Sequence, residues 1–147
     1  MNEIALVLPE ATLLAFACGT LLVDAFVGKR NPAATFWCAV VGGLVVLAQL
    51  SQAVPDTVRI IFANTYRLDV VGAVLKAFIL ALVLVSLFYA REYFRKRGTP
   101  HGEHYPLVLF ATLGMMMLVS SNSLLMLYLG LELLSLSLYA LVALQRD

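Results

Sequence analysis

The stretch PAATFWCAVVGGLVVLAQLSQAV, residues 32–54, contains no charged side chain from end to end. A helix rises about 1.5 Å per residue and the hydrocarbon core of a bilayer is about 30 Å thick, so about 20 mostly apolar residues make one crossing. This stretch meets that length, and the same ruler divides the rest of the chain. Before it, residues 4–27 form an apolar run interrupted by Pro9 and Glu10 near its start and Asp24 near its end. After it, residues 70–90 hold a single charge, Lys76, between Asp69 and Arg91. From Tyr105 to Gln145 the sole charge is Glu132, over a length sufficient for two crossings. The turn-forming SSNS at residues 120–123 divides that run in two.

Backbone polar groups in lipid must be satisfied internally, which leaves helices and closed barrels. The apolar runs are far longer than the roughly ten-residue alternating strands of a barrel. The expected fold class is therefore all-α, a polytopic membrane helix bundle of about five transmembrane helices at 4–27, 32–54, 70–90, 104–120 and 123–145. No fixed-period repeat and no low-complexity linker divides it, so a single transmembrane region over 1–147 is expected.

Composition agrees. Of 147 residues, 62% are hydrophobic and 13% charged, with mean hydropathy +0.93, against roughly 45–50% apolar and about 25% charged in soluble domains. A net charge of +1 supplies no basic field for a nucleic-acid backbone, which excludes nucleic acid as a partner. Cys18 and Cys38 lie inside apolar runs, where a thiol behaves as a small hydrophobe. The N-terminus carries Glu3 and Glu10 and lacks the basic region of a cleaved signal peptide, so the first apolar segment is expected to remain.

Short loops rich in Lys and Arg stay in the cytoplasm. Lys29 and Arg30 follow the first segment, Arg91, Arg95, Lys96 and Arg97 the third, and Arg146 the fifth, all on one side. The other side holds the acidic N-terminus, a loop in which Asp56 and Asp69 balance Arg59 and Arg67, and the neutral SSNS turn. The expected orientation is N-terminus out, C-terminus in.

The fifth segment contains the chemistry. At 100° per residue from Tyr128, Glu132 falls at about 40°, Ser135 at about −20° and Tyr139 at about 20°, one narrow polar stripe. On the far side Ser123, Gly130 and Ser137 recur every seven residues, a row of small residues that admits a neighbouring helix. A charged residue at mid-bilayer costs roughly 2.5–3.5 kcal/mol on insertion scales. Hydroxyls flanking such a carboxylate, facing inward, suit a hydrogen-bonded proton path; a glutamate that only pins two helices together is the structural alternative.

Lys76 sits near enough to the outer end of its segment to snorkel to the headgroups. A fixed ion pair with an acid of a neighbouring helix is its other reading, and a transport role a third. Asp24 and Glu10, nearer the ends of the first segment, take no role from spacing alone. HGEH, with His101, Glu103 and His104, does not match the helical zinc signature and reads as a solvated loop. The sequence offers no metal ligand set, Gly-rich phosphate loop, iron–sulfur cysteine cluster, paired haem histidines or Ser/His/Asp arrangement. Any redox chemistry must reside on other chains.

EHYPLVLFATLGMMMLVSSNSLLMLYLGLELLSLSLYALVAL, residues 103–144, resembles the fourth and fifth helices of the subunit N family of bacterial NADH-quinone oxidoreductase, respiratory complex I. Pro9, Glu10 and Asp24 are similar to that family's opening helix, and RLDVVGAVLKAFILAL to its third; the pattern from Leu129 to Ser135 is the most specific part. The resemblance covers essentially the whole chain. It implies an antiporter-like subunit of a proton-translocating enzyme in the bacterial inner (plasma) membrane. Its partners would be the lipid bilayer and other membrane subunits of complex I, with NADH, FMN, iron–sulfur clusters and quinone bound in partner subunits and no cofactor on this chain.

The resemblance further implies that Glu132 is the fifth-helix glutamate, coupled to a lysine on a later, broken helix, with Tyr128, Ser135 and Tyr139 in support and Lys76 as an accessory charge. Two interacting titratable groups in such a site bind protons as a unit. Related subunits of cation/proton antiporters, and a non-transporting membrane scaffold, are the alternative functions. Two departures stand out. Ser137 occupies a position where the family usually has proline, and the sequence ends after the fifth helix where the family continues through roughly fourteen, so the chain is expected to be an N-terminal portion.

Overall fold

Apolar segments in lipid leave the backbone no partner but itself, and the described chain folds accordingly. A computed structural model describes residues 8–27, 32–52, 59–61, 66–68, 70–97 and 104–145. Helix α1 spans Leu8–Val27, α2 Pro32–Gln52, α3 Val70–Arg97, α4 His104–Ser120 and α5 Leu124–Gln145. Between α2 and α3 lies an antiparallel ribbon of β1 (Arg59–Ile61) and β2 (Tyr66–Leu68), with Arg59 opposite Leu68 and Ile61 opposite Tyr66. This ribbon of two three-residue strands lies in the loop of balanced charges, a small addition to the helical fold. The readings placed on Glu3, Lys29, Arg30, Asp56, Asp69, His101, Glu103 and Arg146 lie outside the described residues.

Four of the helices are long and apolar enough to cross a membrane; α4, at 17 residues, is shorter. Its position explains why a short helix suffices. α4 packs against α1, α2, α3 and α5, and its Tyr105, Leu109, Leu113 and Met116 belong to the buried core with Leu13, Phe36, Val46, Leu80 and Leu87. A helix surrounded by protein needs no apolar length to match the lipid.

Helix α3 is longer than expected. The apolar run predicts an end near residue 90, yet the helix continues to Arg97, 28 residues and about 42 Å at 1.5 Å per residue. Hydropathy marks where lipid stops and says nothing about where helix stops. Phe94 is buried, and Arg95, Lys96 and Arg97 occupy the last turn, where cations interact favourably with the helix dipole.

Glycines set the closest helix approaches. Consecutive Gly42 and Gly43 of α2 face different neighbours: a Cβ on the first would lie 2.7 Å from the ring of Phe16 in α1, and on the second 2.8 Å from Leu84 in α3. α4 and α5 meet backbone to backbone, since a Cβ on Gly114 would fall 2.8 Å from the Leu134 nitrogen and 3.0 Å from the Gly130 oxygen. Two hydroxyls inside the bundle return to their own helices, Thr20 donating to Phe16 O and Thr112 to Val108 O. That local bond keeps a hydroxyl satisfied where water is scarce.

Candidate functional site

Helix α5 begins with a side-chain cap. The Met126 amide donates to Ser123 Oγ at 3.2 Å and the Leu127 amide to Ser123 O at 3.0 Å, while Ser121 Oγ donates to Leu118 O as α4 ends. The SSNS segment thus makes the turn its residues predict. From this start, Gly130 and Ser137 turn onto α4 and are buried, as their seven-residue spacing predicts. Ser137 Oγ donates to Leu133 O at 2.8 Å. The carbonyl that a proline at 137 would release is engaged by the serine instead, and α5 runs unbroken to Gln145.

The opposite face carries the polar stripe, and there the expectation of an inward-facing carboxylate needs correction. Glu132 is exposed, as are Tyr128 and Tyr139 at 61% and 70%; only Ser135 is half-buried. Among the described residues, none hydrogen-bonds or ion-pairs with Glu132. The reason is geometric: the small-residue row fixes which side of α5 meets α4, and the stripe lies about half a turn away. Leu125, Leu136 and Val142 are exposed too, so an apolar helix surface surrounds the carboxylate.

The structure does not bring Lys76 to this stripe. Its Nζ donates to Glu10 Oε1 in a salt bridge between α3 and α1, with the lysine 3% and the glutamate 8% exposed. Snorkelling is therefore overturned in favour of the ion pair. Glu10 is the functional-type residue that sequence reasoning passed over. A signal was present, since α1 and α3 start on the same side of an alternating bundle and both charges fall within their first two turns.

Charged and aromatic groups gather at the other end of α3. The Arg91 guanidinium lies 4.6 Å from the centroid of Phe36 and 5.7 Å from that of Trp37. Phe36 also meets Phe88 and Tyr105 edge to face. His104 packs its ring against Phe94 and Tyr105. Among the described residues, no group of three His, Cys, Asp or Glu side chains is placed to hold a metal ion. Cys18 and Cys38 are not disulfide-bonded; the Cys38 sulfur lies 3.3 Å from Thr20 Oγ1.

With this geometry in view, known proteins give a consistent comparison. The chain is 47% identical over 146 residues to NADH-quinone oxidoreductase subunit N of Halorhodospira halophila, covering 99% of this chain and 30% of that protein. It is 45% identical to the subunit N of Nitrosomonas europaea over 95% of this chain and 29% of that one. Across nearly its whole length the sequence is similar to NADH-quinone oxidoreductase subunit N. A chain of respiratory complex I from Thermus thermophilus, solved with bound aureothin, superposes with a TM-score of 0.74 at 29% identity, over 91% of this chain and 28% of that one. No protein-family model matches. The chain spans about three-tenths of the length of the curated subunit N relatives it matches. Subunit N kinship and the apolar helices together make it a membrane protein.

Proposed function

We propose that this chain is a membrane-embedded part of a proton-translocating NADH-quinone oxidoreductase and that Glu132 is a proton-transferring group within it. The observation that carries the reading is the position of Glu132 on α5: eight residues beyond Leu124, central in a 22-residue apolar helix, on the face opposite the α4 contact. A charged side chain at that depth facing lipid costs roughly 2.5–3.5 kcal/mol on insertion scales. Protein or internal water covering the stripe would offset that cost, and the subunit N relatives, more than three times as long, have the chain to provide it. The resemblance supplies a basic partner for the glutamate on a later helix, so that separation or approach of the pair changes how tightly a proton is held. Tyr128, Ser135 and Tyr139, on the same stripe, are its hydrogen-bonding neighbours.

In this reading NADH, FMN, iron–sulfur clusters and quinone are bound by partner subunits, and the chain sits in the bacterial inner membrane with its N-terminus out and C-terminus in. Its neighbours are the lipid bilayer and other membrane subunits of complex I. Lys76 is bonded to Glu10, away from this stripe, and enters the reading as an accessory charge. The test is Glu132→Gln in the full-length protein within its assembled complex. NADH-driven proton translocation is expected to fall severalfold while assembly stays near wild type; unchanged pumping at wild-type assembly overturns the assignment. Sodium-dependent exchange without NADH oxidation would instead identify a cation/proton antiporter subunit, and neutral behaviour of the glutamine variant a scaffold.

A further inference from the structure

We propose that the groove between α2 and α3, at the basic end of α3, holds an anionic phospholipid, its phosphate on the Arg91 guanidinium and an acyl chain along the exposed apolar residues beside it. Arg91 is the first cation after the apolar run that ends at Ala90, the level at which hydrocarbon gives way to headgroups. Its side chain is half-buried and its guanidinium is held over Phe36, which is buried, and beside Trp37, which is half exposed. Stacking fixes the plane of the fork and leaves the N–H donors at its edge unused. Among the described residues no acceptor meets those donors, whereas Arg95 is paired with Glu92 and Arg97 lies over Tyr93. An oriented guanidinium of this kind matches two oxygens of a phosphate, to which planar Arg donors bond side by side.

The groove supplies the apolar half. α2 and α3 run antiparallel, with Phe36 beside Phe88 and Arg91 at one level and Gly43 against Leu84 about two turns further along. From that line of contact, Trp37 and Leu44 lie about 100–120° round α2, and Val85 and Phe78 about 100–120° round α3. In an antiparallel pair, equal turns from the contact line open on the same side. Those four residues, each half exposed or more, therefore face one groove, with Trp37 at its mouth, a residue type that settles at membrane interfaces. Charge selects the class of lipid. Residues 91–97 carry Arg91, Arg95, Lys96 and Arg97 against Glu92 alone, and such a cluster beside a membrane helix attracts anionic headgroups. A zwitterionic headgroup brings its own cation to the same place and gains less. A protein segment laid in the groove would have to carry a carboxylate at the level of Arg91 to do the same.

Nothing in this site depends on Glu132. The test uses the full-length protein in its assembled complex, in vesicles containing a trace of phosphatidylglycerol or of phosphatidylcholine with a diazirine in the acyl chain. After illumination, lipid cross-linked to α2 and α3 is quantified by mass spectrometry of the peptides. Phosphatidylglycerol is expected to label the segments 37–44 and 78–85 about fivefold more than phosphatidylcholine. Arg91→Gln is expected to abolish that preference, and Lys96→Gln, about 140° round the helix from Arg91, to keep more than half of it. Arg91→Lys retains the charge without the fork and is expected to fall between Arg91→Gln and wild type, which decides the matter if the glutamine variant does not assemble; an unchanged preference in the lysine variant overturns the role of the fork. Equal labelling by the two lipids in wild type, or a preference that survives Arg91→Gln, overturns the site. Equal losses in Arg91→Gln and Lys96→Gln reduce it to general attraction between charges and overturn it as well. Absence of labelling on both segments, with labelling elsewhere on the complex, shows the groove covered by protein and overturns the lipid as its occupant.

Discussion

Arg91 illustrates how one residue's surroundings change its meaning. In sequence it is the first of several cations from which the orientation is read; in the structure its guanidinium covers Phe36 and Trp37 and ties the end of α3 to the start of α2. A cation over an aromatic face contributes about 0.5–2 kcal/mol, depending on its desolvation. Arg91→Ala should therefore lower the apparent thermal midpoint by a few degrees, with Arg91→Lys intermediate because a lysine keeps the charge and loses the flat stacking surface. Equal behaviour of the two variants in a melting assay would show that the stacked plane contributes nothing. The same lesson holds for Lys76 and Glu132, both charges inside apolar runs: spacing located them, and it could not reveal that one is buried beside an acid and the other exposed.

Helix pairing depends on where side chains are missing. At the α4–α5 crossing, a methyl on Gly114 meets the backbone of Leu134 and Gly130, which cannot yield without separating the helices. At the α2–α3 crossing, a methyl on Gly43 meets the far end of the Leu84 side chain, which can rotate away. Gly114→Ala is thus expected to destabilise by about 1–3 kcal/mol, in the range of other overpacking changes, and Gly43→Ala by clearly less. Comparing the two midpoints in one detergent checks this ordering, and a Gly43 variant that melts first would contradict it. Ser123, Gly130 and Ser137 made the α5 packing face legible because a seven-residue spacing keeps residues on one side of a helix. Its partner was less legible, since Gly114 is a single glycine in the apolar run ATLGMMML and only three-dimensional proximity distinguishes it.

For the molecule in its membrane, the distribution of cations predicts sidedness. A cysteine placed at Lys96, in a background with Cys18 and Cys38 replaced by serine, should react with a membrane-impermeant maleimide only from the cytoplasmic side, and one at Asn122 only from outside. Reversed labelling would invert the orientation read from loop charge. Among the described residues, the places of α1, α2 and α5 follow from the sequence, because hydrophobic thickness imposes a length that composition alone can satisfy. What required the tertiary structure was direction around each helix axis. The hydropathy of a membrane helix is nearly uniform, so it carries no moment pointing to a core, and lipid and protein neighbours are equally apolar. Sequence therefore determined that Glu10, Lys76 and Glu132 lie in apolar helices, whereas only packing decided that the first two meet inside the bundle while the third points away from α4, since that choice depends on which face of each helix meets its neighbour.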